Sequence, residues 1–165
     1  MNLHKHDLRR HELTMTVLMT PDMANFSGNV HGGTVLKLLD QVAYACASRY
    51  AGRYVVTLSV DQVTFREPIH VGELVTFLAS VNFTGTTSME IGIKVVTENI
   101  VTQTVRHANS CFFTMVAMGD DKKPVAVPPL ELHDANQRRR DAAARMRREL
   151  RHEFAQRMKK AGATA

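Results

Sequence analysis

A glycine-rich stretch runs directly into an apolar segment at residues 25–41, NFSGNVHGGTVLKLLDQ. The first backbone N–H groups of a helix have no partner within the helix, and glycines there let a ligand approach the backbone closely. If a helix begins at Gly33, these donors and the helix dipole would stabilise an oxygen atom that gains negative charge. Gly33, with Gly32 in support, is therefore a candidate oxyanion donor, and the chemistry indicated is acyl transfer through a tetrahedral intermediate.

Asp40 is the one carboxylate of this apolar segment and lies seven residues after Gly33. At about 1.5 Å per helical residue, the two are about 10 Å apart along the helix axis. Asp40 is thus too far away to act on a carbonyl bound at the start of its own helix. In a two-fold dimer, however, the carboxylate of one chain can face the helix start of the other. The alternative is a structural Asp that accepts a hydrogen bond or pins two helices together.

Histidine is the other candidate base. His31 directly precedes the glycines and could face a substrate, but we interpret it as a residue that organises the loop. His4, His6 and His11 lie near the N-terminus without further ligands, and we expect no metal site there.

Two free thiols and two polar side chains complete the candidates. Neither Cys46 nor Cys111 has a His or Lys nearby in sequence that would activate it as a nucleophile. His107 and Asn109 share the face of a predicted strand with Cys111, and we expect them to be hydrogen-bonded polar residues of the core.

Five strands and one long helix must position these groups. Period-two alternation and turn residues predict strands at 12–19, 56–60, 75–83, 89–95 and 104–118, and a helix at 33–51 that stops near Gly52. The alternation slips near Asp61–Gln62 and continues to Val63 and Phe65, which indicates a bulge. Short connections predict that the last four strands are antiparallel neighbours in order. The helix is apolar on most of its circumference, which is typical of a buried helix. The predicted fold is therefore α+β, with an antiparallel sheet that wraps the helix and buries all its faces.

Residues 134–160 form a second predicted helix. Met146, Leu150, Phe154 and Met158 recur every four residues with arginines between them. This narrow stripe is expected to pack on a partner subunit or on the chain's own sheet, or to belong to a solvated basic helix. Nucleic-acid binding is disfavoured, because no aromatic platform or recognised motif accompanies the charge.

Composition limits the class of protein. The chain has 165 residues, enough for one domain and an extension. Residues 1–133 contain 11 Lys and Arg against 12 Asp and Glu, whereas residues 134–165 contain 10 against 4, so the net charge of +5 belongs to the tail. With two cysteines, a polar N-terminus and no apolar run near 18 residues, we expect a reduced, cytoplasmic protein that does not enter a membrane.

Three segments together carry a family resemblance. NFSGNVHGGTVLKLLDQVAYACASRY, VVTLSVDQVTFREPIHVGELV and TGTTSMEIGI resemble the hotdog-fold acyl-CoA thioesterases, in particular the bacterial and cytosolic acyl-CoA hydrolases. The resemblance covers about residues 10–132, and its specific element is the pattern N-x-x-G-x-x-H-G-G-x6-D. It implies a hotdog domain over residues 8–132, with a sheet of five or six strands, and a basic helical extension over 133–165.

The resemblance also implies an activity and its residues. The activity is hydrolysis of fatty acyl-CoA to a free fatty acid and coenzyme A. Asp40 would act as base or nucleophile, Asn25 of the partner chain would assist it, and Gly33 would supply the oxyanion donor. The family works as a dimer and commonly assembles as a trimer of dimers. No metal or prosthetic group is implied, since coenzyme A is part of the substrate and product.

Coenzyme A brings phosphates that need basic or hydroxyl side chains at the mouth of a pocket. Arg66, Thr86, Ser88 and Arg106 lie on or beside predicted strand connections and are the candidates, although each could equally be a solvated surface residue.

Two other functions remain open at this point. A hotdog domain without turnover could act as an acyl-CoA-sensing module. A hotdog dehydratase would instead need a His paired with a carboxylate across the interface, and only His31 could serve.

Overall fold

The computed structural model describes residues 10–162. In chain order its elements are β1 (Glu12–Leu18), α1 (Gly32–Ala51), β2 (Val55–Val60), β3 (Leu74–Thr84), β4 (Ser88–Asn99), β5 (Thr104–Ala117) and α2 (Ala135–Lys160), with a short 3-10 turn at Pro21–Met23. The five strands form one antiparallel sheet in the order β1-β3-β4-β5-β2. The predicted α+β architecture, with one long helix on a five-stranded sheet, is confirmed.

Helix α1 forms where apolar residues recur at helical spacing. Val35, Leu39, Val42 and Cys46 lie on one side and are almost fully buried. The helix ends at Gly52, which has the left-handed φ of 66° and donates its N–H to the carbonyl of Ser48. Glycine tolerates this conformation without steric cost, so the predicted stop is confirmed.

The core lies between α1 and one face of the sheet. Large buried side chains of the central strands contact each other on this face, among them Phe77, Ile91, Ile93, Phe113 and Met115. Residues on the opposite face, here called the outer face, include Glu90 and Phe112.

The predicted neighbourhood of β2 is wrong. β2 pairs with β5 at one edge of the sheet, and residues 61–73 cross to β3 on the other side. This connection is too long for a turn between adjacent strands. The irregularity in β2 falls between Thr57 and Ser59 rather than at Asp61–Gln62. The slip at Asp61 instead marks the end of the strand, and Val63 and Phe65 lie outside any strand.

The prediction that all faces of α1 are buried is also wrong for a single protomer. Leu36, Lys37, Asp40, Gln41 and Tyr44 form an exposed strip along the helix. A single sheet covers only one side of a helix, so the opposite side stays open unless another chain covers it.

Helix α2 is confirmed, but its apolar stripe does not pack on the chain's own sheet. Met146, Leu150 and Phe154 are 63%, 56% and 65% exposed. The helix is held on the outer face by arginines instead: Arg147 donates to the buried carboxylate of Glu90 at 2.6 and 3.2 Å.

Two further contacts strengthen this attachment. Arg151 pairs with Asp61 at 2.7 Å. The guanidinium carbon of Arg147 lies 3.5 Å from the ring centroid of Phe112, in a cation–π contact. Neither α1 nor α2, the two long helices of residues 10–162, contains an apolar stretch of the length that a membrane-spanning helix requires.

Candidate active site

The loop before α1 is closed by the side chain of Asn25. Its Oδ1 accepts hydrogen bonds from the backbone N–H groups of Ser27 and Asn29, at 2.9 and 3.1 Å. Gly28 permits the turn with a φ of 78°. Because both partners are N–H donors, the oxygen of the amide must face the loop. The Nδ2 group of Asn25 therefore remains as a donor with no hydrogen-bond partner within residues 10–162.

The start of α1 is capped by His31. Its Nδ1 accepts a hydrogen bond from the Gly33 N–H at 2.9 Å. A Cβ atom on Gly33 would lie 3.1 Å from this ring nitrogen, so the cap requires a glycine or a shifted ring. Nδ1 of His31 thus accepts a hydrogen bond and carries no proton in this arrangement. It would have to give up its hydrogen bond with the Gly33 N–H before it could act as a base.

The cap changes which glycine can donate. The Gly33 N–H, predicted as the oxyanion donor, is occupied by His31. The Gly32 N–H makes no hydrogen bond to any of residues 10–162. Gly32 is consequently the available donor at the helix start, and the expected order of the two glycines is reversed in this structure.

Asp40 lies on the exposed strip of α1, and its Oδ1 accepts a hydrogen bond from Oγ1 of Thr57 at 2.7 Å. Thr57 belongs to β2, directly before the irregularity, and pairs with Met115 of the core face. Thr57 was missed in the sequence because a bulge shifts the alternation of β2, so its direction could not be read from the spacing. The only available signal was a hydroxyl residue among apolar ones.

The candidate residues therefore form two groups in one protomer. Asn25, His31 and Gly32 lie at the start of α1, whereas Asp40 and Thr57 lie two turns further along. The eight residues from Gly32 to Asp40 correspond to about 12 Å of helix. A single thioester carbonyl cannot contact both groups of the same chain.

An exposed apolar surface lies beside Asp40, next to the polar Lys37 and Gln41 of the same strip. It comprises Leu36 and Tyr44 of α1, Tyr54 before β2, and Val60 of β2, and we call it the α1–β2 face. The rings of Tyr44 and Tyr54 lie 6.2 Å apart and join its two halves. Within the described residues, β2 also has an unpaired edge, because it is the last strand of the sheet. Such an edge and such a patch are typical of a protein interface.

The four candidates for coenzyme A binding do not form one site. Arg106 donates to Glu67 at 2.6 Å and to Glu73 at 2.7 Å, and these hydrogen bonds, that to Glu73 first, raise its pKa above the usual value. Both arms of its guanidinium are therefore engaged by carboxylates. The interpretation of Arg106 as a free phosphate ligand is not supported.

The other three candidates are divided by the sheet. Ser88 pairs with Val116 on β5, ten residues from Arg106, which corresponds to about 33 Å of strand. Thr86 lies beside Ser88 in the β3–β4 connection. Arg66 is exposed in the 61–73 segment and follows Phe65, whose ring approaches Gly32 at the start of α1. Sequence spacing could not reveal which strand ends lie together.

The remaining sequence candidates lie outside this site. Burial raises the pKa of both Cys46 and Cys111 to about 12, so their thiols are protonated at neutral pH. His107 is exposed and bonded to Ser110, while Asn109 is buried with an amide that has no partner within residues 10–162. A register shift opposite Ala108 turns the two onto different faces, so the expected pair of satisfied core residues is wrong.

A metal site finds no support among the described residues. No group of three or more His, Cys, Asp or Glu within residues 10–162 could hold an ion. His4 and His6 lie outside the described residues.

Comparison with known proteins is consistent with this geometry. Residues 27–104 match the model of the thioesterase superfamily. Protein VdlD of Helicobacter pylori is 50% identical over 142 residues, which is 86% of this chain and 81% of that protein. A crystal structure of a hexameric acyl-CoA thioesterase superposes with a TM-score of 0.85 and 34% identity, over 88% of this chain and 94% of that one.

An acyl-CoA hydrolase from Staphylococcus aureus, solved with butyryl coenzyme A, coenzyme A and coenzyme A disulfide, superposes with a TM-score of 0.82. It is 28% identical over 91% of this chain and 92% of that one. Variants of the same enzyme with an Asp, a Thr or an Asn replaced by Ala have also been solved, the Asn variant with coenzyme A. By fold and by these relatives, the chain belongs to the hotdog-fold acyl-CoA thioester hydrolases of the thioesterase superfamily.

Proposed function

We propose that this enzyme hydrolyses fatty acyl-CoA to a free fatty acid and coenzyme A at sites shared between two protomers. Each site would combine Asp40 and Thr57 of one chain with Asn25 and Gly32 of its partner. The observation that carries the proposal is the exposed Asp40, held by Thr57 at 2.7 Å beside an apolar face and about 12 Å from its own helix start.

The α1–β2 face supports the shared site. A second copy that covers this face would remove Tyr54, 60% exposed, and its apolar neighbours from water. A two-fold axis through the face would run the two α1 helices antiparallel, and each Asp40 would then approach the helix start of the other chain.

A spacing match supports the choice of residues. In the S. aureus hydrolase, the Asn, Asp and Thr positions replaced by Ala follow one another at intervals of 15 and 17 residues. Asn25, Asp40 and Thr57 have the same intervals here. Substitution of those positions in a relative is a reason to test the same set in this chain.

The hydrogen bonds suggest a role for each group. Because the Oδ1 of Asn25 is engaged by its own loop, its Nδ2 would donate to the thioester carbonyl or to the attacking water. The Gly32 N–H would stabilise the oxyanion, and Gly33 would join it only if His31 moved away.

Asp40 would keep Oδ2 for chemistry, since Oδ1 accepts from Thr57. As a base it would take a proton from water while the oxygen adds to the carbonyl carbon. The carbon–sulfur bond would then break, and the departing thiolate of coenzyme A would take up a proton. As a nucleophile the same oxygen would form a mixed anhydride that water hydrolyses. Both routes use one atom in nearly the same place, and neither uses a metal or a prosthetic group.

Binding of the coenzyme A head would use exposed groups near the mouth of this shared site. Arg66 has no ion-pair partner within residues 10–162 and lies in the 61–73 segment, close to the start of α1. Thr86 and Ser88, which lie at the other end of the sheet, could serve only from a different protomer. Arg106 is not included, because two carboxylates occupy it.

The assembly is proposed to be a hexamer built as a trimer of dimers. The α1–β2 face would form the dimer. The stripe of Met146, Leu150 and Phe154 lies on a helix attached to the outer face of the sheet, so the same two-fold contact would not cover it. A second contact through this stripe would join dimers, and the hexameric relative is an example of such a closed assembly.

Release of free thiol tests the function. The wild-type protein is incubated with acyl-CoA substrates from acetyl to palmitoyl, and the coenzyme A thiol is measured. We expect turnover of long-chain substrates, and loss of roughly 10²–10⁴-fold in Asp40→Asn, which keeps the shape but removes the base or nucleophile.

Glu153→Gln removes an exposed carboxylate of α2 on the outer face of the sheet, and it is the control that should keep normal turnover. A protein that binds acyl-CoA without releasing thiol would be a sensing module and would contradict the proposal. Normal turnover by Asp40→Asn would show that the site is elsewhere.

A further inference from the structure

The loop that carries Asn25 is held by side chains that the proposed mechanism does not use. The backbone N–H of Asn29 donates to Oδ1 of Asn25, and the carbonyl of Asn29 accepts from the N–H of Asn25 at 2.6 Å. The side chain of Asn29 continues the chain of contacts, because its Oδ1 lies 2.9 Å from Nδ1 of His70. With the Asn29 amide placed in this way, Nδ1 of His70 is the donor and the amide oxygen is the acceptor. Asn29 is thus fixed between Asn25 on one side and His70 on the other.

His70 is itself tied to a buried ion pair. Its backbone N–H donates to Oε2 of Glu73 at 2.9 Å, and the other carboxylate oxygen of Glu73 accepts from Arg106 at 2.7 Å. Arg106 uses its remaining arm on Glu67. Glu73 is only 4% exposed, and a buried carboxylate that loses a partner is strongly destabilised. The contacts from Asn25 through Asn29 and His70 thus end at a rigid carboxylate. Gly72, with φ of 87°, forms the turn that brings the N–H of His70 to Glu73.

The backbone repeats this connection. Asn29 and His70 form an isolated antiparallel bridge, and the N–H of Val30 donates to the carbonyl of Ile69 at 2.8 Å. Both Val30 and Ile69 are buried. Backbone hydrogen bonds consequently attach the Asn25 loop to the 61–73 segment. The His70 side chain in addition holds the side-chain amide of Asn29 in one orientation.

We propose that His70 and Asn29 are positioning residues, which aim the Nδ2 group of Asn25 at the substrate through a relay anchored on Glu73 and Arg106. This inference rests on the proposed role of Asn25. Neither His70 nor Asn29 would touch the reacting atoms. They would act because the side chain of Asn25 is oriented by the hydrogen bond that its Oδ1 accepts from the N–H of Asn29. If Asn29 were no longer fixed, the side-chain amide of Asn25 could turn away from a productive geometry. Arg106 is then an anchor of the active-site loop rather than a ligand of coenzyme A.

The test compares two substitutions of His70, a residue whose exposed side chain makes changes easy to accommodate. His70→Leu removes the donor, whereas His70→Asn places an amide nitrogen close to the position of Nδ1. We expect kcat for thiol release to fall roughly 10-fold in His70→Leu, with KM changed less than about 2-fold, and to recover most of the loss in His70→Asn. His133→Leu, an exposed histidine outside the relay, is the matched control.

A double-mutant cycle separates this inference from the function on which it rests. In the Asn25→Ala background, measured at high enzyme concentration, His70→Leu should cause no further loss of kcat, because the group it positions is gone. Absence of thiol release by the wild-type protein would overturn the proposed function itself, and full activity of Asn25→Ala would overturn the proposed role of Asn25. An inactive Asn25→Ala enzyme together with a fully active His70→Leu enzyme would overturn only the relay, as would equal losses in both backgrounds or equal losses in the Leu and Asn variants. Thermal unfolding of each variant shows whether a loss reflects the fold.

Discussion

Thr57 donates a hydrogen bond of 2.7 Å from its hydroxyl to Oδ1 of Asp40, and this bond connects the edge strand β2 to the exposed strip of helix α1. A hydrogen bond to a carboxylate is charge-assisted and orients the group, because one oxygen is engaged and the other is left for a ligand. Two elements that are separated by a turn at Gly52 in sequence thus fix the direction of one functional group.

Thr57→Val, which keeps the shape of the side chain and removes the hydroxyl, should lower kcat for thiol release about 10- to 100-fold. The reason is that a hydrogen bond to a charged group contributes about 1.5–3 kcal/mol, and 1.4 kcal/mol corresponds to about 10-fold in rate. Thr57→Ser, which restores the hydroxyl, should recover most of the activity. Equal rates for the Val and Ser variants would show that this hydrogen bond does not contribute to turnover.

Periodicity predicted the elements of the fold better than their arrangement. The 3.6-residue pattern of α1 and the stop at Gly52 are local properties, and both are confirmed. The pairing of β2 with β5 is a property of the whole chain, since residues 61–73 could have crossed the sheet or turned back. The bulge between Thr57 and Ser59 also depends on the whole chain, because an extra residue in one strand is defined only by how that strand pairs with its neighbour.

The candidate site shows the same division. The loop, the glycines and Asp40 were visible as residue types at a given spacing. Occupation of the Gly33 N–H by the His31 ring was not visible, because it depends on a rotamer that the glycine permits. The ion pairs of Arg106 with Glu67 and Glu73 were also not predicted, since the three residues come together only because the 61–73 segment crosses the sheet.

The attachment of α2 to the outer face should depend on Arg147. Arg147→Met would leave the carboxylate of Glu90, 2% exposed, with a longer contact of 3.5 Å to Arg151 and a hydrogen bond of 3.4 Å from Nδ2 of Asn82. Breaking a buried ion pair costs about 3 kcal/mol, which lowers Tm by roughly 6–12 °C in a protein of this size. Arg157→Met is the matched control, because Arg157 and Glu153 are both solvent-exposed and such pairs contribute little. Similar Tm values for the two variants would show that the ion pair between Arg147 and Glu90 does not stabilise the fold more than an exposed pair does.

The apolar stripe of α2 should join dimers. Leu150→Glu places a charge in the centre of the stripe, and we expect it to convert hexamers to dimers in sedimentation velocity. Activity per chain should be retained, because the proposed sites lie within each dimer. Gln156→Glu adds the same charge to another side of the helix and should leave the assembly intact. A Leu150→Glu protein that remains hexameric would show that the stripe is not a subunit contact.

The shared active site makes the most specific prediction, which concerns mixtures of two inactive chains. Asn25→Ala and Asp40→Asn homodimers should each be inactive, because every site in them lacks one residue. In a mixed dimer, one site would carry both lesions, and the other would combine the native Asn25 of one chain with the native Asp40 of its partner. Random pairing after co-expression gives mixed dimers in about half of the population, each with one working site of two, so activity should recover to roughly a quarter of wild type.

Mixing the purified homodimers without exchange of subunits is the control and should restore nothing. If both residues of a site came from the same chain, co-expression would restore nothing either, since every site would retain one lesion. Recovery therefore depends on the separation between the helix start and Asp40, about 12 Å within one protomer, being closed by a second copy of the chain. A co-expressed mixture that stays inactive, although mass spectrometry shows mixed dimers, would place the whole site within one protomer.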